Sequence, residues 1–167
     1  MRFSGRVYKH RSHWLAEVPL FEAMTQGRTR REALEMMEDW FVSMVNRPGF
    51  SVEALLTGKD ELEVTSPDLK SMISLLLQRR RQESGLSLAD VAQRLGAKSR
   101  NAYARYERGD SLPTIEKLDQ LLRAISPDRD VVMRQSAQRL PAMGGTDPEL
   151  QPIPRRRLEE PSKGDRS

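Results

Sequence analysis

The stretch GLSLADVAQRLGAKSRNAYARYERGDSLPTIEKLDQLL, residues 85–122, carries the most legible local chemistry in the chain. Ser87 stands where a helix N-cap belongs, and Asp90 follows three residues later to support it. Leu86, Val91, Ala92 and Leu95 then recur at helical spacing as a buried face, with alanine where two helices must approach closely. Gly96 occupies the position just past the helix end, where the backbone turns left-handed and only glycine does so cheaply. Ser99 is expected to cap a second short helix whose Tyr103 and Tyr106 face inward. That phasing leaves Ser99, Arg100, Asn101, Ala104 and Arg105 outward at its N-terminal end. Arginine matches guanine O6 and N7 with two parallel hydrogen bonds, and asparagine does the same for adenine N6 and N7. The first turn of a helix adds N–H donors for a phosphate.

Glu107-Arg108-Gly109 closes the second helix, and with it the segment closely resembles the XRE (Cro/C1-like) helix-turn-helix family. The resemblance implies that helix 87–95 positions the domain while helix 99–107 enters the major groove of double-stranded operator DNA. Ser87, Lys98 and Arg108 complete the candidate DNA-contacting set alongside Ser99, Arg100, Asn101, Ala104 and Arg105. Because repressors of this type read two half-sites, it also implies a homodimer or a higher homo-oligomer. One departure stands out: between Gly96 and Glu107 the chain has one residue more than the family's usual spacing, at Ala97-Lys98. That bears on the depth and angle of the reading helix.

Charge follows the same map. Residues 67–112 hold nine Lys/Arg against five Asp/Glu, whereas residues 1–66 hold nine against ten and residues 113–167 ten against nine. A polyanionic partner is therefore expected at the middle segment. The 167 residues contain no cysteine, which excludes disulfides and thiolate metal sites and is compatible with a reducing cytoplasm. No apolar run is long enough for a membrane span, and MRFSGRVYKH lacks the apolar core of a secretory signal. With only His10 and His13, a histidine-rich zinc or catalytic site is not expected, and no cofactor is implied.

Upstream, the hydrophobic period is two. Phe3, Gly5 and Val7 share one side of a strand over 2–8, and Trp14, Ala16 and Val18 one side of a second over 13–18. A third short strand is expected over Glu22–Gln26. Thr29 and Glu32 have capping-box spacing ahead of a helix carrying Ala33, Met37, Trp40, Phe41, Met44 and Val45, which ends at Asn46–Gly49. FSVEALL and ELEVT, flanking Thr57-Gly58-Lys59-Asp60, read as a hairpin, although SVEALL also suits a helical turn. Residues 1–65 thus read as β-β-β-α-β-β, giving an α+β chain with an all-α bundle over 66–127. Ser66-Pro67 supplies an N-cap and first-turn proline for a helix over 67–83. Beyond Ser126-Pro127, DVVMRQSAQRL suits one more helix. From Pro141 on, proline, glycine and mixed charge imply a disordered tail.

MTQGRTRREAL in the first part, with LGAKSRNAYARYERG behind it, makes residues 2–126 resemble a HicB-type antitoxin. In that family the N-terminal domain is a degraded ribonuclease-H-like fold that masks a small basic toxin ribonuclease, and the C-terminal domain represses the shared operon. Catalysis by the first domain itself is not expected. No Asp or Glu precedes Glu17, whereas two-metal nucleases need clustered carboxylates. Glu32, Glu35, Glu38 and Asp39 read as a solvated helix face, and Arg79-Arg80-Arg81 as either phosphate contacts or a solvated helix end. The competing reading is a freestanding transcriptional regulator whose N-terminal domain senses a small ligand.

Overall fold

A computed structural model describes residues 1–132. Strands β1 (Arg2–His10), β2 (His13–Val18) and β3 (Ala23–Gly27) precede helix α1 (Arg30–Val45), with a single 3-10 turn at Pro19–Phe21. Strands β4 (Glu53–Leu56) and β5 (Glu61–Thr65) follow, then helices α2 (Leu69–Glu83), α3 (Leu88–Arg94), α4 (Asn101–Glu107) and α5 (Ile115–Ile125). The architecture is α+β. The further helix expected from Asp130 and the tail from Pro141 lie outside the described residues, save for Asp130–Val132, which are not helical.

The strands form one sheet in the order β3-β2-β1-β5-β4, every pair antiparallel. Alternation places Phe3 and Val7, Ala16 and Val18, Ala23, Ala54, Leu62 and Val64 on the face that α1 covers with Ala33, Leu34, Met37 and Phe41. Phe21 stands edge-on between Phe3 and Phe41, with ring centroids 4.9 and 5.0 Å away. Edge-to-face contact of this kind adds about 0.5–1.5 kcal/mol to the burial itself. Within SVEALL, Glu53–Leu56 is a strand rather than a helical turn, Ser51 and Val52 lie outside it, and Leu56 at its end is exposed.

Capping follows the sequence in part. Thr29 Oγ1 accepts the Glu32 N–H, but the Glu32 carboxylate turns back to the Arg28 N–H instead of that of Thr29. At α2 the N-cap is Asp68, whose carboxylate accepts the Ser71 N–H at 3.0 Å. Ser66, expected there, donates instead to the Ser51 carbonyl and accepts the Asp68 N–H. Pro67 pushes its predecessor out of helical geometry, which moves the helix start past the proline.

Met72, Ile73, Leu75, Leu76 and Leu77 of α2 are all buried. One side of this helix packs on the Pro19–Phe21 turn and α1, the other on α4 and α5. Arg79 donates to the Phe21 carbonyl at 3.3 Å and lies 5.7 Å over the Trp40 ring. Arg80 pairs with Glu22 and Glu83, and Arg81 with Glu107. The three arginines are therefore tied into the packing around α2 rather than forming a simply solvated helix end. Met1–Val132 form one compact unit with a continuous apolar core. Among the described residues no helix is long and apolar enough to cross a membrane.

Candidate nucleic-acid interface

Helix α3 opens with a complete capping box: Ser87 Oγ accepts the Asp90 N–H at 3.1 Å, and the Asp90 carboxylate accepts the Ser87 N–H at 2.7 Å. The hydrogen bonds from Ser87 hold the Asp90 carboxyl below its usual pKa. Val91 and Ala92 bury the inner face. At the far end Gly96, at φ +66°, donates to Gln93 O at 2.9 Å, and Ala97 donates to Ala92 O at 2.9 Å. This pair of bonds is the Schellman arrangement, which satisfies the last carbonyls of α3 and reverses the chain toward α4.

Helix α4 is held from beneath. Tyr103 is fully buried, and its hydroxyl donates to the Leu77 carbonyl of α2 at 3.4 Å. Burial, reinforced by Glu107, pushes its phenol pKa far above the usual value, so Tyr103 stays neutral. The Glu107 carboxylate takes two parallel hydrogen bonds from Arg81, at 2.6 and 2.8 Å, with both side chains largely shielded. Fork geometry makes this the strongest kind of ion pair for fixing one helix against another. Arg94 of α3 donates to the Ala124 carbonyl at 3.0 Å and so anchors α3 to the end of α5.

What this scaffold presents is a run of exposed residues from Lys98 to Ala102, in the turn before α4 and its first positions. Lys98, Ser99, Arg100 and Asn101 are together there, as the sequence reading placed them. Ser99 is not the N-cap; α4 starts at Asn101, and Ser99 Oγ accepts the Asn101 N–H at 3.2 Å. Ala104 is a correction: it is 3% exposed and belongs to the buried face with Tyr103 and Tyr106. The outward alanine is Ala102, which the sequence reading passed over. Glu107, drawn inward by Arg81, widens the buried arc to include Ala104.

The remaining candidates are further apart. Arg105 is exposed but folds along Tyr106, its guanidinium 4.8 Å over the ring and donating to the hydroxyl at 3.0 Å. Arg108 lies past the far end of α4, about 10 Å along the helix from the first group, and pairs with Asp110 at 2.7 Å. Ser87 is exposed at the start of α3, its hydroxyl engaged in the capping box. His10 and His13 face each other across the β1–β2 hairpin, and among the described residues no group of three His, Asp or Glu side chains is placed to hold a metal ion.

Residues 77–126 match the family profile described as helix-turn-helix, from the second half of α2 to the end of α5. No curated protein matches the chain. The matched segment is an XRE-type helix-turn-helix domain, which supports a sequence-specific DNA-binding role in transcription regulation.

Proposed function

We propose that the chain is an antitoxin that represses its own operon through α4 and masks a small basic protein with its sheet layer, by binding alone and without chemistry. The observation that carries the DNA half is the exposed run Lys98–Ala102, mounted on a helix whose other face is locked by Tyr103 and Glu107. A rigid mount matters because base readout needs donors held in register with the groove. Support for the second half is the β-β-β-α-β-β order and the edge strand β3, where Met24 is 57% exposed. Edge strands offer unpaired backbone groups to an incoming strand. At the opposite edge, Glu38 already accepts the Ala54 N–H of β4 at 2.8 Å, so β3 is the better place for a partner.

Both halves are testable on the full chain. Mobility shifts with the duplex upstream of its own gene and a scrambled control should show Arg100→Ala and Asn101→Ala each losing about 1–3 kcal/mol on the specific duplex. Unchanged specific affinity in both variants sinks the reading head. Co-expression with the small basic product of the neighbouring gene should give a complex burying at least about 1,000 Å² and restore growth. Met24→Lys should weaken that capture and leave DNA affinity alone. A folded chain that neither binds nor rescues removes the antitoxin role and leaves the DNA-binding regulator.

A further inference from the structure

Arg47 leaves the C-terminal end of α1, where Asn46 takes a left-handed conformation at φ 45° and Pro48-Gly49 turn the chain toward β4. Its guanidinium does not run into solvent. One terminal nitrogen donates to Ser71 Oγ of α2 at 3.2 Å, and the other donates to the carbonyl oxygen of Arg108. Ser71 in turn donates to the Asp68 carboxylate, so a polar seam runs from the N-cap of α2 through Arg47 to the end of α4. Ser71 and Ser74, which flank the guanidinium, are 2% and 5% exposed.

The Arg108 carbonyl is the C-cap carbonyl of α4, one of the last-turn acceptors that a helix cannot satisfy internally. A cation there also meets the negative end of the helix dipole. The next residue is shaped to the same contact. Gly109 has φ +70°, and a Cβ on it would lie 2.6 and 2.7 Å from the two terminal nitrogens of Arg47 and 3.0 Å from Ser74 Oγ. Glycine therefore serves twice, for the left-handed turn and for the approach of the guanidinium. Arg47 lies outside the residues matched as helix-turn-helix, in the segment that joins α1 to β4.

We propose that Arg47 is a positioning residue for DNA reading: through it the sheet layer caps the end of α4 and sets the angle at which Lys98–Ala102 meet the groove. This rests on α4 being the reading helix, and it makes the sheet layer part of the reader.

The test uses the full chain, a specific and a scrambled duplex, and a temperature at which circular dichroism shows every variant folded. Arg47→Met keeps the apolar stem and removes all donors; it should lose about tenfold in specific affinity. Affinity for scrambled DNA and the salt dependence of binding should not change, since the guanidinium is already engaged by Ser71 and the Arg108 carbonyl. Arg47→Lys, which keeps the charge but donates from a single point, should recover part of the loss and carries the comparison should Arg47→Met fail to fold. Full specific affinity in folded Arg47→Met overturns the proposal. So does an equal loss on both duplexes with a salt slope reduced by about one, which marks a direct phosphate contact. Arg100→Ala run in parallel separates the two ideas: if it is silent, α4 is not the reading helix; if it alone is affected, α4 reads DNA without help from Arg47.

Discussion

Helix α4 has seven residues, and its inner arc is set by four of them: Tyr103, Ala104, Tyr106 and Glu107. The apolar three are buried by packing, and the fourth is drawn inward by the Arg81 guanidinium. Placing Glu107 on the arc moves its centre toward Ala104 and away from Ala102. A volume change at the two alanines should therefore separate cleanly. Ala104→Leu forces methylenes into a filled core and should lower stability by about 1–3 kcal/mol. Ala102→Leu should stay within about 0.5 kcal/mol of the parent. Urea denaturation of the two variants measures both, and equal losses would mean that the arc is misplaced. The inward tyrosines and the outward Arg100 and Asn101 were legible from spacing alone. Ala104 was not, because a glutamate read from sequence counts as solvent-facing until its arginine is found in a distant helix.

At the scale of elements, the helix starts are governed by short side chains near prolines and by carboxylates aimed at backbone N–H groups. Asp68 at the start of α2 is held below the usual carboxylate range first by the Ser71 hydroxyl, then by the Ser71 N–H, with smaller help from Arg47 and Lys70. Asp90 at α3 is lowered in the same way by Ser87. A carboxyl whose folded pKa lies below its unfolded value of about 3.9 stabilises fully above that value. Its contribution is lost as pH falls through the lower folded pKa. The urea midpoint should accordingly drop as pH falls below about 4. Asp68→Asn keeps an acceptor at the N-cap but does not titrate, so its acid limb should be shallower; an unchanged limb would remove Asp68 as a cause. The Ser87–Asp90 box could be read from sequence because both its partners are three residues apart. The α2 cap is less legible, because Ser66-Pro67 also has the pattern of an N-cap with a first-turn proline, whereas Pro67 disfavours helical geometry in the residue before it and the cap falls on Asp68.

For the whole molecule the decisive element is α2, whose burial from Ser71 to Leu77 faces the sheet layer on one side and the bundle on the other. Sequence showed strands of period two around a single helix up to Thr65 and only a helical period after it, which marks two styles of structure. It did not show that the two share a core, since periodicity describes each element's faces and not what covers them. Sharing has a thermodynamic consequence. With α2 counted in both layers, and with Arg79 on Phe21 and Arg47 on Arg108 bridging them, neither layer unfolds without exposing the other's apolar side. Unfolding of the chain should thus be a single cooperative transition. The two tryptophans make this measurable, because Trp14 lies in β2 and Trp40 in α1, so indole fluorescence reports the sheet layer and, through Arg79 over Trp40, its contact with α2. Far-ultraviolet dichroism is dominated by helix and follows α2 to α5 together with α1. The two signals should give coincident urea curves. Phe21→Ala on the sheet side and Leu121→Ala on the bundle side, both fully buried, should move both signals together, by about 3–5 and 2–5 kcal/mol. If instead Leu121→Ala shifts the dichroism curve and leaves the fluorescence curve in place, the layers unfold independently. The coupling through α2 and Arg47 then fails with it, because a sheet layer that does not feel the loss of the bundle cannot set the angle of α4.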